Sequence, residues 1–422
     1  MPWIGLDDTD TLSGGCTTYE FHLLFQHLNQ LSNEGFPWNV CDPRLVRLWP
    51  FASNRTRGNA ALALKIEIIE KDEELLFKIL EKWYRELNIK ISTLEIIQSK
   101  HSERLQLPPE PCLLYLRKQN PDFYWSAVRH EVSLNSAFSL VSEQKGSKYW
   151  ASKKKMKGLI GALAAISWSG NNDFTWELTA YRDEHMYSKI RMIQIESVSE
   201  ISRLFPNTIL NRDPNSKKTL IAPSTPCPVL YGIRAESSKE AILAHEYLQS
   251  IVENEKAKSF QVWRSNQATG DHIKNSKSGI IASSPKTIRG GHTSIKVILN
   301  GEEYRELELL AFEESGKINK LAQKLKKGDY VEWEGLESPS NNIHLEKIRL
   351  IRSSIRDKKR PNCNCGGKLK SSGKNKPLRC EICGNYFPRL WQGVCLEPSE
   401  WIEPEASQRR HLAKPLGRQN FS

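Results

Sequence analysis

No stretch of the 422 residues is apolar over the length that a membrane-spanning helix needs. The opening residues also lack the basic segment and short apolar run of a secretory signal peptide, because an acidic cluster stands there instead. We therefore expect a protein that works in the cytoplasm and binds no membrane. The chain contains no internal repeat and no long low-complexity tract, which argues against a repeat architecture.

Acidic residues are fewer than basic ones: the chain has 49 Asp and Glu and 61 Lys and Arg, for a formal charge of +12. Such a surplus favours a polyanionic partner, with nucleic acid ahead of membrane lipid. A basic surface that only keeps the protein soluble is the alternative. The apolar fraction of 39%, with twelve tryptophans, is enough for several buried cores. The length suggests two to four domains.

The first half of the chain shows strand-like and helix-like segments in alternation. Up to about residue 125 this alternation predicts an α/β domain, placed at 1–125. It contains a strand at 3–6, a helix at 19–31, a strand at 60–69 and a helix at 72–87. A mixed α+β domain, of the ferredoxin-like kind, is predicted at 126–245, with a buried helix at 159–168 and strands at 174–182 and 229–236.

The second half changes to short β-like runs separated by Gly, Asn and Ser. Five or so such strands over 255–352, beginning with "SFQVW", predict a small barrel. An OB fold is the commonest such barrel beside nucleic acid, and an SH3-like barrel is the alternative. A cysteine-rich module at 360–390 and a basic tail at 391–422 complete a multidomain α+β chain.

Three aspartates stand close together in the opening stretch "WIGLDDTDTLSGGCTTY". Asp7, Asp8 and Asp10 follow a short strand, so their carboxylates can converge. Like charges at such distances repel each other unless a cation neutralises them. The cation that best suits hard oxygen ligands and phosphates is Mg²⁺.

A glycine-containing loop follows the aspartates and leads into a helix. Gly14 and Gly15 allow the backbone to approach an anion, and the amides of the helix N-terminus face it. Carboxylates for a metal and amides for phosphate suit nucleotide phosphoryl chemistry, although the chain has no Walker loop there. The alternative is a plain turn in which Thr17 or Thr18 caps the helix.

A second anion site is predicted at "NRTRGN", residues 54–59. Arg55 and Arg57 lie beside a glycine in a predicted loop, and two guanidinium groups there can clamp a phosphate. A solvated basic turn is the alternative.

Four of the nine cysteines crowd into twenty-one residues, as C-x-C and then C-x-x-C. Two close pairs of thiolates can surround a structural Zn²⁺. A disulfide is not typical of a cytoplasmic chain, and four unliganded cysteines are less favoured because Gly366, Gly367 and Gly384 follow the pairs as turn residues. The predicted ligands are Cys363, Cys365, Cys380 and Cys383. The basic segment 368–379 between the pairs could contact RNA phosphates. Phe260, Trp263 or Trp333 could stack on bases, although most barrel aromatics are core.

Seven motifs in order resemble one family, the archaeal synthetases that make 2-agmatinylcytidine in an isoleucine tRNA. They are "GLDDTDTLSGGCTTY", "RLWPFASNRTRGNAAL", "GLIGALAAI" with "WELTAYR", "PCPVLYGIR", "SNQATGDHI", the terminal cysteines and "RRHLAKPLGR". The resemblance spans almost the whole chain. It implies a kinase-like domain, a ferredoxin-like domain, an OB fold and a zinc ribbon.

The resemblance also implies an activity. ATP would phosphorylate the 2-oxo group of the wobble cytidine of an AUA-reading isoleucine tRNA with a CAU anticodon. Agmatine would then displace the phosphate, leaving AMP and phosphates as the other products. A phosphoryl group makes the 2-oxygen a good leaving group, and metal and arginine offset the developing charge.

The resemblance assigns roles to residues as well. Asp7, Asp8 and Asp10 would hold Mg²⁺ and the ATP phosphates. Thr17 would be the autophosphorylated threonine, with Thr18 as its alternative. Contacts to phosphate or to the target nucleotide would come from four residues, namely Arg55, Arg57, Gly58 and Asn59.

The attacking amine of agmatine must be deprotonated, so a carboxylate is expected near it; Asp173 and Glu177 are candidates by position. Three positions depart from the family pattern: Trp49 replaces an asparagine, Arg55 a lysine, and Cys227 an acid.

Two other functions remain open at this point. One is a protein that binds nucleic acid through the barrel and zinc module without catalysis. The other is a related enzyme that modifies RNA with another amine.

Overall fold

The computed structural model describes residues 1–53, 55–98, 105–152, 156–215, 218–301 and 305–421 of the chain, without the side chains of 419–421. Asn54, in the basic "NRTRGN" motif, lies outside these ranges. The chain divides into two units. Unit 1 comprises Met1–Lys274 and Glu405–Ser422, and unit 2 comprises Asn275–Pro404. Unit 2 is therefore an insertion in the sequence of unit 1.

Unit 1 contains nine strands and seven α-helices among its described residues. The strands are β1 (Trp3–Asp7), β2 (Trp38–Arg47), β3 (Ala60–Ile68), β4 (Cys112–Leu116), β5 (Lys148–Ala151), β6 (Thr175–Tyr181), β7 (Thr208–Ile209), β8 (Val229–Ala235) and β9 (Ser259–Ser265). The helices are α1 (Thr17–Asn33), α2 (Glu73–Ser92), α3 (Pro121–Arg129), α4 (Leu134–Ser142), α5 (Gly158–Ser167), α6 (Ile195–Leu204) and α7 (Ser238–Ser250).

All nine strands belong to one sheet, in the order β5-β4-β1-β3-β2-β9-β6-β8-β7. Within this sheet, as far as its residues are described, only the β2–β9 pairing is parallel, through Arg44 opposite Arg264 and Leu45 opposite Ser265. Strand β1 lies between β3 and β4, antiparallel to both. The two domains predicted for the first half of the chain therefore contribute strands to a common, largely antiparallel sheet.

The apolar core around β1, called the first core, lies on both faces of the sheet, because successive side chains of the strand point to opposite faces. Ile4 and Leu6 pack with the apolar residues of α1 and α2, whereas Trp3 packs with α3, α4 and α5. Gly5 allows α5 to approach β1 closely, because a Cβ at this position would lie only 2.7 Å from the carbonyl oxygen of Ala162. Helix α5 is buried as predicted from its small apolar residues. A separate core joins β6 and β8 to α6 and α7.

The "SFQVW" strand was predicted to begin the barrel, and that placement was wrong. The segment forms β9, which pairs with β6 and β2 in the unit 1 sheet. A short alternating strand carries no local signal for its sheet, because its partners are distant in sequence. Phe260 is 42% exposed on this sheet, whereas Trp263 is wholly buried in its core.

Unit 2 contains one α-helix and eleven strands among its described residues. The strands are β10 (Lys277–Ile281), β11 (Lys286–Thr287), β12 (Thr293–Leu299), β13 (Glu306–Ala311), β14 (Tyr330–Glu337), β15 (Ile343–Arg352), β16 (Asp357–Lys359), β17 (Leu369–Ser371), β18 (Leu378–Cys380), β19 (Tyr386–Phe387) and β20 (Gln392–Val394). The helix is α8 (Lys317–Lys324).

Five strands of unit 2 close a barrel in the order β10-β14-β15-β13-β12, since β12 also pairs with β10. The β13–β15 pairing is parallel, and α8 lies between β13 and β14 in the chain. The interior is apolar and includes Trp333, which is 1% exposed and therefore cannot stack on a base. The predicted mixed α/β multidomain fold with a small barrel is confirmed.

Strands β17, β18 and β19 form a small sheet beside the cysteine cluster, and β16 pairs with β20. Over the described part of the chain, no helix has both the length and the apolar composition needed to cross a membrane.

The last described segment, 405–421, belongs to unit 1 and not to unit 2. Leu412 is 1% exposed in the first core. Arg418 binds the carboxylates of Asp173, at 2.9 Å, and Glu236, at 2.6 Å. Lys414 also contacts Asp173 at 3.0 Å. The segment therefore packs as an integral part of unit 1.

Candidate active site

The carboxylate of Asp7 lies at the end of the central strand β1. It packs against Gly161 of α5, where a Cβ would overlap it, so the glycine makes room for the acid. Burial, reinforced by the charge of Asp8, raises the pKa of Asp7 well above its usual range. The acid is therefore held where its negative charge is unfavourable without a counter-ion.

Asp8 follows in a left-handed backbone conformation, with φ of 63°. Asp and Asn tolerate this conformation better than most residues. The backbone N–H of Glu110 donates to Asp8 Oδ2 at 3.1 Å. Burial, together with the charges of Glu110 and Asp10, nevertheless raises the pKa of Asp8 to about 6.

Asp10 holds the start of α1. Its Oδ1 accepts a hydrogen bond from the Thr17 backbone N–H at 2.8 Å and from the Thr17 hydroxyl at 3.2 Å. The same oxygen lies 3.4 Å from a guanidinium nitrogen of Arg57. Asp10 thus connects the acidic turn, the threonine pair and the basic motif.

A cavity of about 410 Å³ opens beside these acids and is called the first cavity. Seven of the residues predicted from the sequence line it, namely Asp7, Asp8, Asp10, Thr17, Arg55, Arg57 and Asn59. Sequence reasoning did not identify Lys157, which also lines it and faces Asp8. Its position just before the "GLIGALAAI" helix was the available signal. The first cavity therefore combines clustered carboxylates with basic side chains.

A second cavity of about 650 Å³ adjoins the first, because Asp10, Thr17 and Arg57 line both. Thr18 and Gly58 of the predicted set also line this second cavity. Its other ionisable residues come from β2, β6, β8 and the segment after 404: Arg47, Glu177, Arg234, Arg409 and His411. Of these, sequence reasoning named only Glu177.

Glu177 faces the second cavity while Asp173 does not line it. The carboxylate of Glu177 accepts hydrogen bonds from the Gln267 amide and from the Thr179 hydroxyl, the latter at 3.3 Å. Asp173 is instead held by Arg418 and Lys414. Of the two carboxylates considered for the amine, the geometry favours Glu177.

Arg57 contacts the protein backbone on two sides. It donates to the carbonyl oxygens of Gly15, at 2.8 Å, Thr11, and Pro226, at 3.1 Å. In the same motif, Arg55 donates to the carbonyl of Ala52 at 3.1 Å. Arg57 therefore positions the acidic loop in addition to lining both cavities.

Neither of the two loop glycines lines either cavity. The Gly15 N–H donates to the Thr11 hydroxyl at 2.8 Å, and Gly14 has a φ of 131°. Both glycines therefore shape the loop in this structure. Gly58 accepts a hydrogen bond from Arg47 at 2.6 Å, and the Asn59 side chain donates to the carbonyl of Trp49 at 2.9 Å.

The hydroxyl groups of the two threonines have different partners. Thr17 Oγ1 lies 3.2 Å from both Asp10 Oδ1 and Thr9 Oγ1. Thr18 Oγ1 lies 3.1 Å from Cys16 Sγ. Thr17 faces both cavities and Thr18 only the second.

Four thiol groups come together in unit 2. The sulfur atoms of Cys363, Cys365, Cys380 and Cys383 all lie within 4.8 Å of one another. Backbone N–H groups at Cys383 and Ile382 lower the pKa of Cys380 to about 6, which favours the thiolate. Four converging sulfur donors are a ligand set that suits Zn²⁺.

Comparison with protein families gives two matches in unit 1. The model described as the TiaS TCKD domain matches residues 3–153, and the TiaS FLD domain model matches residues 156–272.

Full-length relatives share one name, that of the 2-agmatinylcytidine synthetase TiaS, which acts on an isoleucine tRNA. The synthetase of Methanocaldococcus jannaschii is 31% identical, over 99% of this chain and 98% of the relative. The synthetase of Pyrococcus horikoshii is 32% identical, over 98% of this chain and 96% of the relative.

Solved structures agree with this similarity. A crystal structure of apo TiaS superimposes with a TM-score of 0.77 at 29% identity, covering 99% of this chain and 98% of that chain. A complex of TiaS with its isoleucine tRNA, AMPCPP and agmatine gives 0.74 at 27% identity, covering 99% and 97% respectively.

The raised pKa of Asp8 predicts how the metal-free protein responds to pH. Between about pH 4 and 6 the folded state holds a proton that the unfolded state has released, so the Asp8 contribution to stability falls as pH rises. The quantity to compare is the free energy of unfolding of Asp8→Asn minus that of wild type. This difference should be about 1–3 kcal/mol larger at pH 7 than at pH 4. Chemical denaturation in chelator measures this difference.

Asp183→Asn is the matched control, because Asp183 is half-exposed and lines neither cavity. An Asp8→Asn effect that is the same at both pH values would contradict the raised pKa.

Proposed function

The chain belongs to the family of 2-agmatinylcytidine synthetases that modify an isoleucine tRNA, and from this premise we propose which residues perform its reaction. The enzyme is a ligase that attaches agmatine to the wobble cytidine of that tRNA in an ATP-dependent reaction. A protein that only binds nucleic acid is therefore no longer the favoured alternative. Its cytoplasmic location stays a prediction.

The first cavity is the proposed site of the ATP phosphates. The observation that supports this most strongly is the cluster of Asp7, Asp8 and Asp10, two of which have raised pKa values. Such a set fits Mg²⁺ because its oxygen donors are hard and their repulsion requires a cation. Mg²⁺ held there would neutralise charge on the transferring phosphoryl group. Lys157 and Arg55 line the same cavity and supply further positive charge.

Thr17 is the proposed phosphorylated residue. Its hydroxyl contacts Asp10 at 3.2 Å and faces both cavities, so it lies between the acid cluster and the second cavity. An aspartate at this distance can orient the hydroxyl and accept its proton. Thr18, whose hydroxyl is directed to Cys16, has no carboxylate partner among the described residues.

The second cavity is the proposed site of the cytidine and of agmatine. It shares Asp10, Thr17 and Arg57 with the first cavity, so a base bound there lies next to the phosphates. Glu177 is the proposed partner of the attacking amine, because its carboxylate faces this cavity. Phosphorylation of the 2-oxo group would make that oxygen a leaving group, which the amine would displace as phosphate. A second phosphoryl group, carried by Thr17 and released to water as phosphate, would account for AMP as the other product.

Unit 2 is proposed to bind the tRNA. The five barrel strands in chain order are β10, β12, β13, β14 and β15. The first pairs with the second, the second with the third, the third with the fifth, the fifth with the fourth and the fourth with the first. This order supports an OB fold. The thiol cluster supports a zinc ribbon with structural Zn²⁺, whose basic segment 368–379 would contact phosphates. In unit 1, the kinase-like and ferredoxin-like assignments at 1–125 and 126–245 stay proposals. The predicted start of the barrel at 255 and the separate tail at 391–422 are not proposed again, because β9 and the segment after 404 belong to unit 1.

The proposed reaction predicts agmatine transfer that depends on Asp8. Purified enzyme is incubated with Mg²⁺-ATP, labelled agmatine and an unmodified isoleucine tRNA transcript with a CAU anticodon, and each component is omitted in turn. Asp8→Asn should reduce the label on RNA by at least about 100-fold, because a charge that stabilises the transition state is lost. tRNA affinity should be unchanged.

Asp183→Asn, at a residue that lines neither cavity, serves as the control and should retain transfer. Persistent labelling by Asp8→Asn, or labelling of a transcript without the wobble cytidine, would refute the assignment. Tight tRNA binding with no ATP-dependent label would point to another amine.

The assignment of Thr17 predicts which variant loses autophosphorylation. With phosphate-labelled ATP, Thr17→Ala should leave the protein unlabelled, whereas Thr18→Ala should retain the label. Peptide mass spectrometry then locates the modified residue in the wild type. The reverse pattern would transfer the role to Thr18, and circular dichroism checks that both variants are folded.

The cysteine cluster predicts one zinc ion per chain. Cys380→Ser should lower the zinc content, measured by elemental analysis, from about one to near zero, because the remaining three thiolates form an incomplete site. Cys395→Ser is the matched control, since this exposed cysteine is not in the cluster. Equal zinc content in the two variants would contradict the assignment.

A further inference from the structure

Arg234 is a buried arginine without a partner. It lies in β8, is 8% exposed and lines the second cavity. Other buried arginines of unit 1 are paired, as Arg182 is with Glu255 and Arg418 with Asp173. Across the described ranges, the Arg234 guanidinium makes no hydrogen bond and no ion pair within 4 Å. The charge of Glu177 acts on Arg234 only from beyond that distance. A buried charge without a close partner is costly, so the group is available for a ligand.

The carboxylate nearest in the sheet does not satisfy this charge. Glu177 stands directly opposite Arg234 across the β6–β8 pairing. Its oxygens accept from Gln267 and Thr179, and the nearest guanidinium nitrogen is that of Arg47, at 3.9 Å. One carboxylate therefore faces two guanidinium groups.

Arg47 is only partly satisfied. It donates to the carbonyl of Gly58 at 2.6 Å, while its buried Nε has no partner. Two further arginines, Arg57 and Arg409, line the same cavity, and Arg57 is paired with Asp10. Arg47, Arg234 and Glu177 taken by themselves thus carry an excess of one positive charge.

His411 brings a third nitrogen donor to the same place. Its backbone carbonyl accepts from the Ala268 N–H at 2.8 Å, which fixes the segment after 404 against the cavity. The charge of Arg47, then burial and the charge of Arg234, hold the pKa of His411 well below its ordinary value. The imidazole is therefore neutral at pH 7 and adds a hydrogen-bond donor without adding charge.

We propose that Arg234, Arg47 and His411 form a subsite for a phosphate group in the second cavity, separate from the carboxylates of the first. Guanidinium groups match phosphate oxygens in geometry and charge. The inference builds on the proposed function, because that function places the target nucleotide here. The phosphate has two possible sources: a backbone phosphodiester beside the target cytidine, or the phosphoryl group that comes from ATP.

The first arm of the test measures affinity of the full chain for the tRNA transcript, without ATP or agmatine, at several salt concentrations. If the ligand is a backbone phosphodiester, Arg234→Gln should weaken binding about tenfold and reduce the salt slope by about one. Arg234→Lys should recover part of the loss. Arg203→Gln, which removes an exposed arginine of α6 outside both cavities, should match the wild type.

The second arm measures inhibition of ATP turnover by inorganic phosphate and pyrophosphate. If the ligand is the phosphoryl group, Arg234→Gln should raise the inhibition constant about tenfold while the salt slope stays unchanged. Wild-type behaviour in both arms would overturn the subsite. Neither arm requires agmatine transfer, so a failure of the proposed function would be seen separately, in the wild-type transfer assay.

Thermal unfolding separates a ligand site from a structural arginine. Because Arg234 lacks a partner, Arg234→Gln should unfold at the same temperature as wild type or at a higher one. A markedly lower unfolding temperature of Arg234→Gln would overturn the proposal. Failure of Arg234→Gln to fold would also overturn it if Arg234→Lys binds as wild type does.

Discussion

The burial of an acidic group at the end of the central strand is the constraint on which unit 1 depends. Asp7 is the last residue of β1, which has β3 and β4 as neighbours, so its position is fixed by the middle of the sheet. Gly161 leaves the room that its carboxylate occupies, and Gly5 brings α5 close to the strand. The close packing of α5 on β1 and the placement of the Asp7 carboxylate are therefore parts of the same contact between helix and strand. Both depend on glycine where a side chain would not fit.

Arg57 extends this arrangement from the acid cluster to the second cavity. It contacts the carboxylate of Asp10 and the carbonyls of the acidic loop, and on its other side it reaches the carbonyl of Pro226. The "TRGN" and "PCPVLYGIR" motifs therefore meet through one side chain. Through these bonds, a shift of the acidic loop would reach the second cavity, and a shift of the "PCPVLYGIR" segment would reach the first. Arg57 is therefore a positioning residue as well as a source of charge.

The sequence was informative where chemistry is local. The aspartates, the threonine pair and the cysteine pairs are close in the chain, and most predicted strands and the buried helix at 159–168 were found near their predicted positions. It was not informative where partners are distant. The sheet that contains β9, the approach of Arg234 to Arg47 and the return of His411 to unit 1 all depend on contacts between residues about 80 to 220 positions apart. No spacing rule encodes such contacts, and Arg47 and Arg234 each resemble an ordinary strand arginine in isolation.

The return of the chain after unit 2 also has a consequence for biosynthesis. His411, Leu412 and Arg418 emerge from the ribosome only after the whole of unit 2, whereas the residues they contact are made long before. Until then Asp173 and Glu236 lack their guanidinium partner, and the first core lacks Leu412. The nascent chain thus has an incomplete second cavity throughout translation of unit 2. Only a fully translated chain can assemble it, so products of premature termination would be inactive and less stable.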